Sequence, residues 1–333
     1  MPPKKYGGSE RIVYTLTEEL IKRGHEVTLF ASGDSQTSAK LVSVYPRSLR
    51  EAKIKDMYDL NDLTLLHLGT PYTMEDQFDI VHDHIGVFSL PVAQKSKTPV
   101  LMTLHGPFTA TNRRLYSTFR NPYLAAISRS QVKFAPPVAT VAGVVYNGLA
   151  MDGYPYSSEN DGYLLFVGRI SMEKGTHHAI EVAQNLDLPL IIAAKLDLTD
   201  VAYFNEYVGP QLSDDRIRWI GEVDEVERNK LMSRALCLLH PITWREPFGL
   251  TMIEAMACGC PVIAFNKGSI LEIVVDGKTG FIVEDLEGMI EAVSKVGSID
   301  RSFCRRYALD NFNAGRMTDG YEDIYRRILE NKK

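Results

Sequence analysis

The sequence predicts an α/β protein of two domains, each built around a parallel sheet, and three observations carry that prediction. The chain has 333 residues, about two domains at the usual size. Short apolar runs alternate with helical periodicity from end to end, which is the pattern of repeated βα units. Between Tyr146 and Asp161 the texture turns to Asn, Gly, Pro, Ser and Glu, a turn-rich polar stretch that suits a linker. The expected division is therefore 1–147 and 148–308, with a helical tail over 309–333 that returns toward the first domain.

In the first domain, Ser9 reads as the N-cap of a helix whose stripe of Ile12, Val13, Leu16 and Leu20 runs to a stop at Gly24. Strands are read at 27–31, 80–82, 100–104, 123–127 and 141–145. No strand is read ahead of Tyr6, because Met1 to Lys5 is too short and Pro2 and Pro3 lack the N–H donors that a central strand needs. In a doubly wound sheet the strand before the first turn is central. An empty slot is thus expected beside the 27–31 strand, to be filled by an apolar strand upstream or by a segment from elsewhere. In the second domain, strands are read at 163–167, 188–194, 216–220, 235–240, 261–265 and 281–283, with helices near 176–186, 224–233 and 250–257. Beyond Arg301 the chain reads as helical, ending in Tyr321, Ile324, Tyr325 and Ile328 at helical spacing with charge on the other face.

Composition narrows the function. Hydrophobic residues make up 45% and charged residues 24%, the proportions of an ordinary globular protein, and a formal charge of −5 offers no basic field for nucleic acid or an anionic membrane. The longest apolar-looking stretch, Met252 to Phe265, contains Glu254, so no transmembrane helix is expected. Lys4, Lys5, Glu10 and Arg11 leave no apolar core for a signal peptide, and the protein reads as cytoplasmic. The four cysteines, Cys237, Cys258, Cys260 and Cys304, have no C-x-x-C spacing, so no metal site is expected. Cys258 and Cys260 lie between an apolar helix and an apolar strand and read as small buried side chains.

The most informative segment runs Trp244-Arg245-Glu246-Pro247-Phe248-Gly249-Leu250-Thr251-Met252-Ile253-Glu254. Pro247 and Gly249 form a loop that feeds a helix from Leu250 or Thr251. The free N–H groups of Gly249, Leu250 and Thr251 at that helix N-terminus suit a phosphate by hydrogen bonding and dipole. Glu246 stands in the loop and Glu254 is expected in the first helical turn, so two carboxylates flank one anion site. Singly, each also reads as a solvated or dipole-favouring charge. The strand at 163–167 leads into Gly168-Arg169-Ile170-Ser171-Met172-Glu173-Lys174-Gly175. Arg169 at a strand's carboxyl end and Lys174 at the next helix's start can bracket a diphosphate and neutralise charge on a departing nucleotide. In the first domain, His84 and His105 each follow a strand's carboxyl end and are expected to face the crevice between domains. His82, two residues back on the same strand face, is the rival of His84. Gly7 and Gly8, after Tyr6, open the first helix, where a turn needs glycine in any case.

Taken together, the Glu246 to Glu254 spacing resembles the E-x7-E motif of the retaining glycosyltransferases of family 4. Residues 168–175 are similar to that family's G-R-x-x-x-x-K-G, and the resemblance spans nearly the whole chain. It implies the GT-B fold, two facing Rossmann-like domains with an interdomain cleft. It also implies that Glu246 and His84 contact the donor sugar and that Glu254 binds the ribose hydroxyls. The turn at Phe248, Gly249, Leu250 and Thr251 then serves the diphosphate, with Gly7 and Gly8 near the donor phosphates. The expected reaction is retaining transfer of a hexose from a nucleotide diphosphate sugar, a UDP-sugar before a GDP-sugar, to a hydroxyl acceptor. Arg169, Lys174 and the helix N-terminus supply the charge stabilisation, with His84 and Glu246, and no metal or cofactor is required. A GT-B sugar-nucleotide epimerase and a non-catalytic nucleotide-sugar-binding protein are the competing readings. One departure concerns Gly268-Ser269-Ile270-Leu271-Glu272, where Leu271 replaces the family's Pro and a looser loop is expected. Acceptor choice falls to first-domain loops such as 107–120, where Arg113, Arg114 and Arg120 read as a solvated basic surface.

Overall fold

The computed structural model describes residues 1–331 apart from Lys4, Tyr6, Lys53 and Lys55. Tyr6, quoted above with the glycine turn, and Lys4 thus lie outside the described residues. The chain forms two compact units. Unit 1 holds Gly7–Leu149 and the chain from Ala314 on, and unit 2 holds Ala150–Asn313.

Unit 1 opens with a helix at Gly8–Lys22 that buries Ile12, Leu16 and Leu20. Its N-cap is Gly7, with no side-chain cap, so the reading of Ser9 as the cap is corrected: Ser9 already lies in the first turn. The strands are β1 (Thr28–Phe30), β2 (Lys40–Val42), β3 (Val81–Asp83), β4 (Val100–Leu104), β5 (Tyr123–Ala126) and β6 (Val141–Val144). Most bounds move by one or two residues from those expected, where strand ends fray. β2 was not expected, because it is an edge strand with Lys40 exposed and only two apolar side chains. β3, β4, β5 and β6 form one parallel sheet, and β1 and β2 form a separate parallel pair. Among the described residues no ladder joins β1 to β3, although the Phe30 and Phe78 rings ahead of β3 meet edge-on at 6.0 Å. β4 is buried at every position, which explains why its sequence is a continuous apolar run with no alternation.

The last helix, Ala314–Glu330, packs on the first helix and on β6, burying Met317, Tyr321, Ile324 and Ile328. Arg23, just past the end of the first helix, clamps it by hydrogen bonds to Asp319 at 2.7 Å and Glu322 at 2.6 Å.

Unit 2 contains β7 (Leu164–Arg169), β8 (Leu190–Lys195), β9 (Ile217–Trp219), β10 (Cys237–His240), β11 (Val262–Phe265) and β12 (Gly280–Val283). All six are parallel, in the order β12-β11-β10-β7-β8-β9. The strand order reverses between β7 and β10, and there a doubly wound sheet leaves its ligand crevice at the carboxyl ends. Those ends are Arg169 and His240. The helices Thr176–Leu186 and Leu250–Ala257 have the expected bounds, and Glu225–Arg234 is capped by Asp224, which accepts from the Glu227 N–H. All four cysteines are free and buried.

Candidate active site

The switch point of unit 2 gathers the two segments singled out by sequence. β7 delivers Arg169, and one tight turn later Met172–Lys174 delivers Lys174. β10 delivers His240, and its loop delivers Trp244 and Glu246. A hydrogen bond from the Thr243 N–H to the Glu173 carbonyl, 2.9 Å, ties the two loops together. The Lys174 ammonium donates to Glu246 Oε2 at 2.5 Å. Arg169 is ion-paired with Glu173 and lies 3.6 Å from Asp200 Oδ2. Both cations therefore rest on carboxylates, and Arg169 Nε is buried without a hydrogen-bond partner.

Gly249 caps the helix Leu250–Ala257 at φ +90°, in the left-handed region. That left-handed backbone conformation is one that side-chain-bearing residues rarely adopt, so the turn favours glycine. The first intrahelical bond runs from the Met252 N–H to the Gly249 carbonyl at 3.1 Å, which leaves the Leu250 and Thr251 N–H groups without an intrahelical partner. The Phe248 ring is buried edge-on against Phe312 at 5.9 Å, so this residue can offer a ligand only its backbone.

Glu246 is held from behind. Its carbonyl accepts from the Ser269 N–H at 3.1 Å, and the Ser269 hydroxyl donates to the Phe248 carbonyl at 2.7 Å. Gly268 lies so close that a Cβ would stand 2.3 Å from the Glu246 carbonyl oxygen. Leu271 is 66% exposed, so the exchange of Pro for Leu leaves these contacts in place. Burial pushes the Glu246 carboxyl up, but the neighbouring Lys174 and His240 more than reverse this and hold it below the usual carboxylate range.

Glu254 corrects an expectation. It is the fifth residue of its helix, one turn in, because the helix begins at Leu250. Its side chain is 2% exposed and lies 2.9 Å from Arg228 of the Glu225–Arg234 helix. A carboxylate this deep needs a cationic partner. Sequence reasoning missed Arg228, whose only signal is a cation on a short polar helix. It also missed His240, the last residue of β10, which is 6% exposed with Nε2 unpartnered. That nitrogen and Glu246 Cγ both lie 3.5 Å from the Cβ position at Gly249. Burial lowers the His240 pKa to about 4, so the ring is neutral at pH 7. Its one sequence signal is adjacency to the 244–254 segment.

In unit 1, His84 Nδ1 and His105 Nε2 share a hydrogen bond at 3.0 Å. His82 is committed elsewhere: Nδ1 meets the Tyr325 hydroxyl at 2.6 Å and Nε2 meets Thr103 Oγ1 at 2.8 Å. Thr103 in turn donates to the Tyr321 hydroxyl at 3.0 Å. Both His82 nitrogens thus latch the last helix onto β3 and β4. Burial lowers the pKa of His82 to about 3, that of His105 to about 4, and that of His84 well below its ordinary value. Gly7 and Gly8 form the start of the first helix, with the Gly7 carbonyl accepting from the Arg11 N–H at 3.2 Å.

A family model described as Glycosyltransferase Family 4 matches residues 6–148, and one described as Glycosyl transferases group 1 matches residues 155–301. The chain is a family 4 glycosyltransferase of GT-B fold. This glycosyltransferase is 26% identical to a phosphatidyl-myo-inositol mannosyltransferase of Propionibacterium freudenreichii, over 88% of this chain and 80% of that one. It is similar to AviGT4, a glycosyltransferase involved in avilamycin A biosynthesis, with a TM-score of 0.73 and 25% identity, covering 99% of this chain and 92% of that one. It shares its fold with Anabaena Alr3699/HepE, solved in complex with UDP-glucose, at a TM-score of 0.74 and 19% identity over 98% and 97% of the two chains. Among the described residues of the glycosyltransferase, no helix is long and apolar enough to cross a membrane.

Proposed function

We propose that this glycosyltransferase transfers a hexose, with retention, from a nucleotide diphosphate sugar to a hydroxyl acceptor, a UDP-sugar being favoured and a GDP-sugar the alternative. The observation that carries the reading is the convergence of Arg169, Lys174 and an open helix N-terminus on the β7 and β10 switch point of unit 2. Fixed positive charge and oriented N–H groups there suit a diphosphate leaving group. A fold neighbour bound to UDP-glucose supports a nucleotide-sugar donor.

In this reading Arg169, Lys174 and the N–H groups of Gly249, Leu250 and Thr251 take the diphosphate, Glu254 the ribose, and Glu246 the sugar. His84 is assigned to the sugar, with His105 behind it, and Gly7 and Gly8 to the donor phosphates. The C–O bond from the anomeric carbon to phosphate breaks, the acceptor oxygen bonds on the same face, and its proton passes to the leaving phosphate. Arg169 and Lys174 do the neutralising that a divalent metal does in other transferases, so the reaction runs without one.

A thermal-shift panel of UDP-, GDP- and ADP-sugars tests the donor. A ligand at 100 times its Kd stabilises by about 2.7 kcal/mol, and the stabilising sugar nucleotide is then offered to an acceptor panel with and without chelator. Stabilisation by none of them removes the reading. A sugar nucleotide altered with no acceptor present replaces transfer by epimerisation, and loss of transfer on chelation removes metal independence.

A further inference from the structure

Glu246 Oε2 accepts two donors at once, the Lys174 ammonium at 2.5 Å and the Trp244 indole N–H at 3.0 Å. The same ammonium stands 5.1 Å from the centre of the Trp244 ring, within cation–π range. Trp244 therefore touches both charges of the pair, one through its edge and one through its face. The Trp244 carbonyl also accepts from the Glu246 N–H at 3.1 Å, so the two residues form one tight turn. Behind that turn Gly268 packs directly on the Glu246 backbone, and the Ser269 N–H holds its carbonyl at 3.1 Å.

The donor reading gives the two partners of this ion pair to different parts of one ligand, Lys174 to the diphosphate and Glu246 to the sugar. A diphosphate carries more negative charge than one carboxylate and draws the ammonium toward itself. Glu246 then loses its strongest partner in a half-buried site, where an ionised carboxylate without a donor is costly. The indole N–H is the donor that stays, because it sits on the same rigid turn as Glu246.

We propose that Trp244 is a positioning residue for the transferred sugar, holding the Glu246 carboxylate aimed when Lys174 leaves it for the diphosphate. This rests on the donor reading above. Trp244 acts through Glu246 and leaves the affinity for free nucleotide alone. Its face is covered by the ammonium without ligand and uncovered with it.

The test uses UDP, GDP, UDP-glucose and GDP-mannose as probes on the full chain. Trp244→Phe keeps an aromatic face for Lys174 and removes only the N–H. The expected result is a nucleoside diphosphate Kd within about twofold of wild type, together with loss of the extra affinity contributed by the sugar and a roughly tenfold fall in kcat for transfer or slow donor hydrolysis. The chain has two tryptophans, so Trp219→Phe leaves Trp244 as sole emitter, and its emission is expected to change on saturation with the diphosphate. That second measurement stands if Trp244→Phe misfolds. Equal losses for diphosphate and sugar nucleotide in Trp244→Phe, wild-type values for both, or an emission unmoved at saturation each overturn the proposal while the donor reading survives. Failure of wild type to bind any of the four probes overturns both.

Discussion

At Lys174 and Arg169 the cations that suit a diphosphate are already engaged, one with Glu246 and the other with Glu173 and Asp200. The partly exposed Arg169–Glu173 pair contributes little to stability, so a ligand can displace it at small cost, whereas the Lys174–Glu246 pair is mostly buried and gives up more when it opens. Arg169→Ala and Lys174→Ala are each expected to weaken nucleoside diphosphate binding by about ten- to hundredfold, since a hydrogen bond to a charged group contributes about 1.5–3 kcal/mol. Titration calorimetry reads this directly, and wild-type affinity in both variants would remove the anion site. Glu254 differs in kind from Glu246, because its partner Arg228 is buried with it. Glu254→Gln is expected to weaken nucleotide binding with or without sugar and also to lower the melting temperature of unit 2, because Arg228 is left with the more distant Glu225 carboxylate at 3.8 Å. Glu246→Gln spares free nucleotide and depresses transfer. Equal losses of nucleotide affinity in the two variants, with no difference in melting temperature, would undo this division.

The sheet of unit 1 is the element whose ladder is interrupted. β1 pairs with β2 and β3 with β4, while β1 and β3 have no ladder to each other among the described residues. Strand edges with unpaired N–H and C=O groups are costly when water is excluded. The doubly wound arrangement expects a central parallel strand at this place. A free apolar peptide of about five residues is expected to pair there and raise the melting temperature of unit 1 by several degrees, at roughly 2–4 °C per kcal/mol. A polar segment of equal length leaves it unchanged. Hydrogen exchange supplies the check, because amides of 28–30 and 81–83 gain protection only when the slot is filled. Equal protection with the two segments would show that β1 and β3 need no strand between them.

Across the whole molecule, stability is coupled to pH through histidines that are partly or wholly shielded from water. His82, with a pKa lowered to about 3, and His105 and His240, each lowered to about 4, are neutral in the folded chain near neutrality. Their ordinary value is about 6.5, so below that pH the unfolded chain binds protons that the folded chain refuses. Stability is expected to be fully present above about pH 6.5 and to fall as pH drops toward 4. His82 also latches the last helix through Tyr325 and Thr103, so His82→Gln lowers stability at pH 7.5 but flattens its decline at lower pH. Urea titrations between pH 7.5 and 5 measure both effects. A slope unchanged by the substitution would mean that His82 titrates normally.

Local spacing sufficed for much of this molecule. The apolar runs at β4, β10 and β11, the helices at 176–186 and 250–257, and the two motifs around Arg169 and Glu246 were all legible, because period and turn chemistry are written within a few residues. β2 escaped because two apolar residues on an exposed edge leave no period to read. The depth of Glu254 escaped because the cation that covers it, Arg228, comes from the separate Glu225–Arg234 helix. Strand order, and with it the switch point between β7 and β10, was decided only by tertiary structure, since crossovers bring together segments about seventy residues apart. The same holds for Arg228 against Glu254, for Gly268 and Ser269 behind Glu246, and for Tyr325 against His82. A buried charge or carbonyl selects its partner by proximity in space, and side chains from separate elements meet only after the sheet has set their distance.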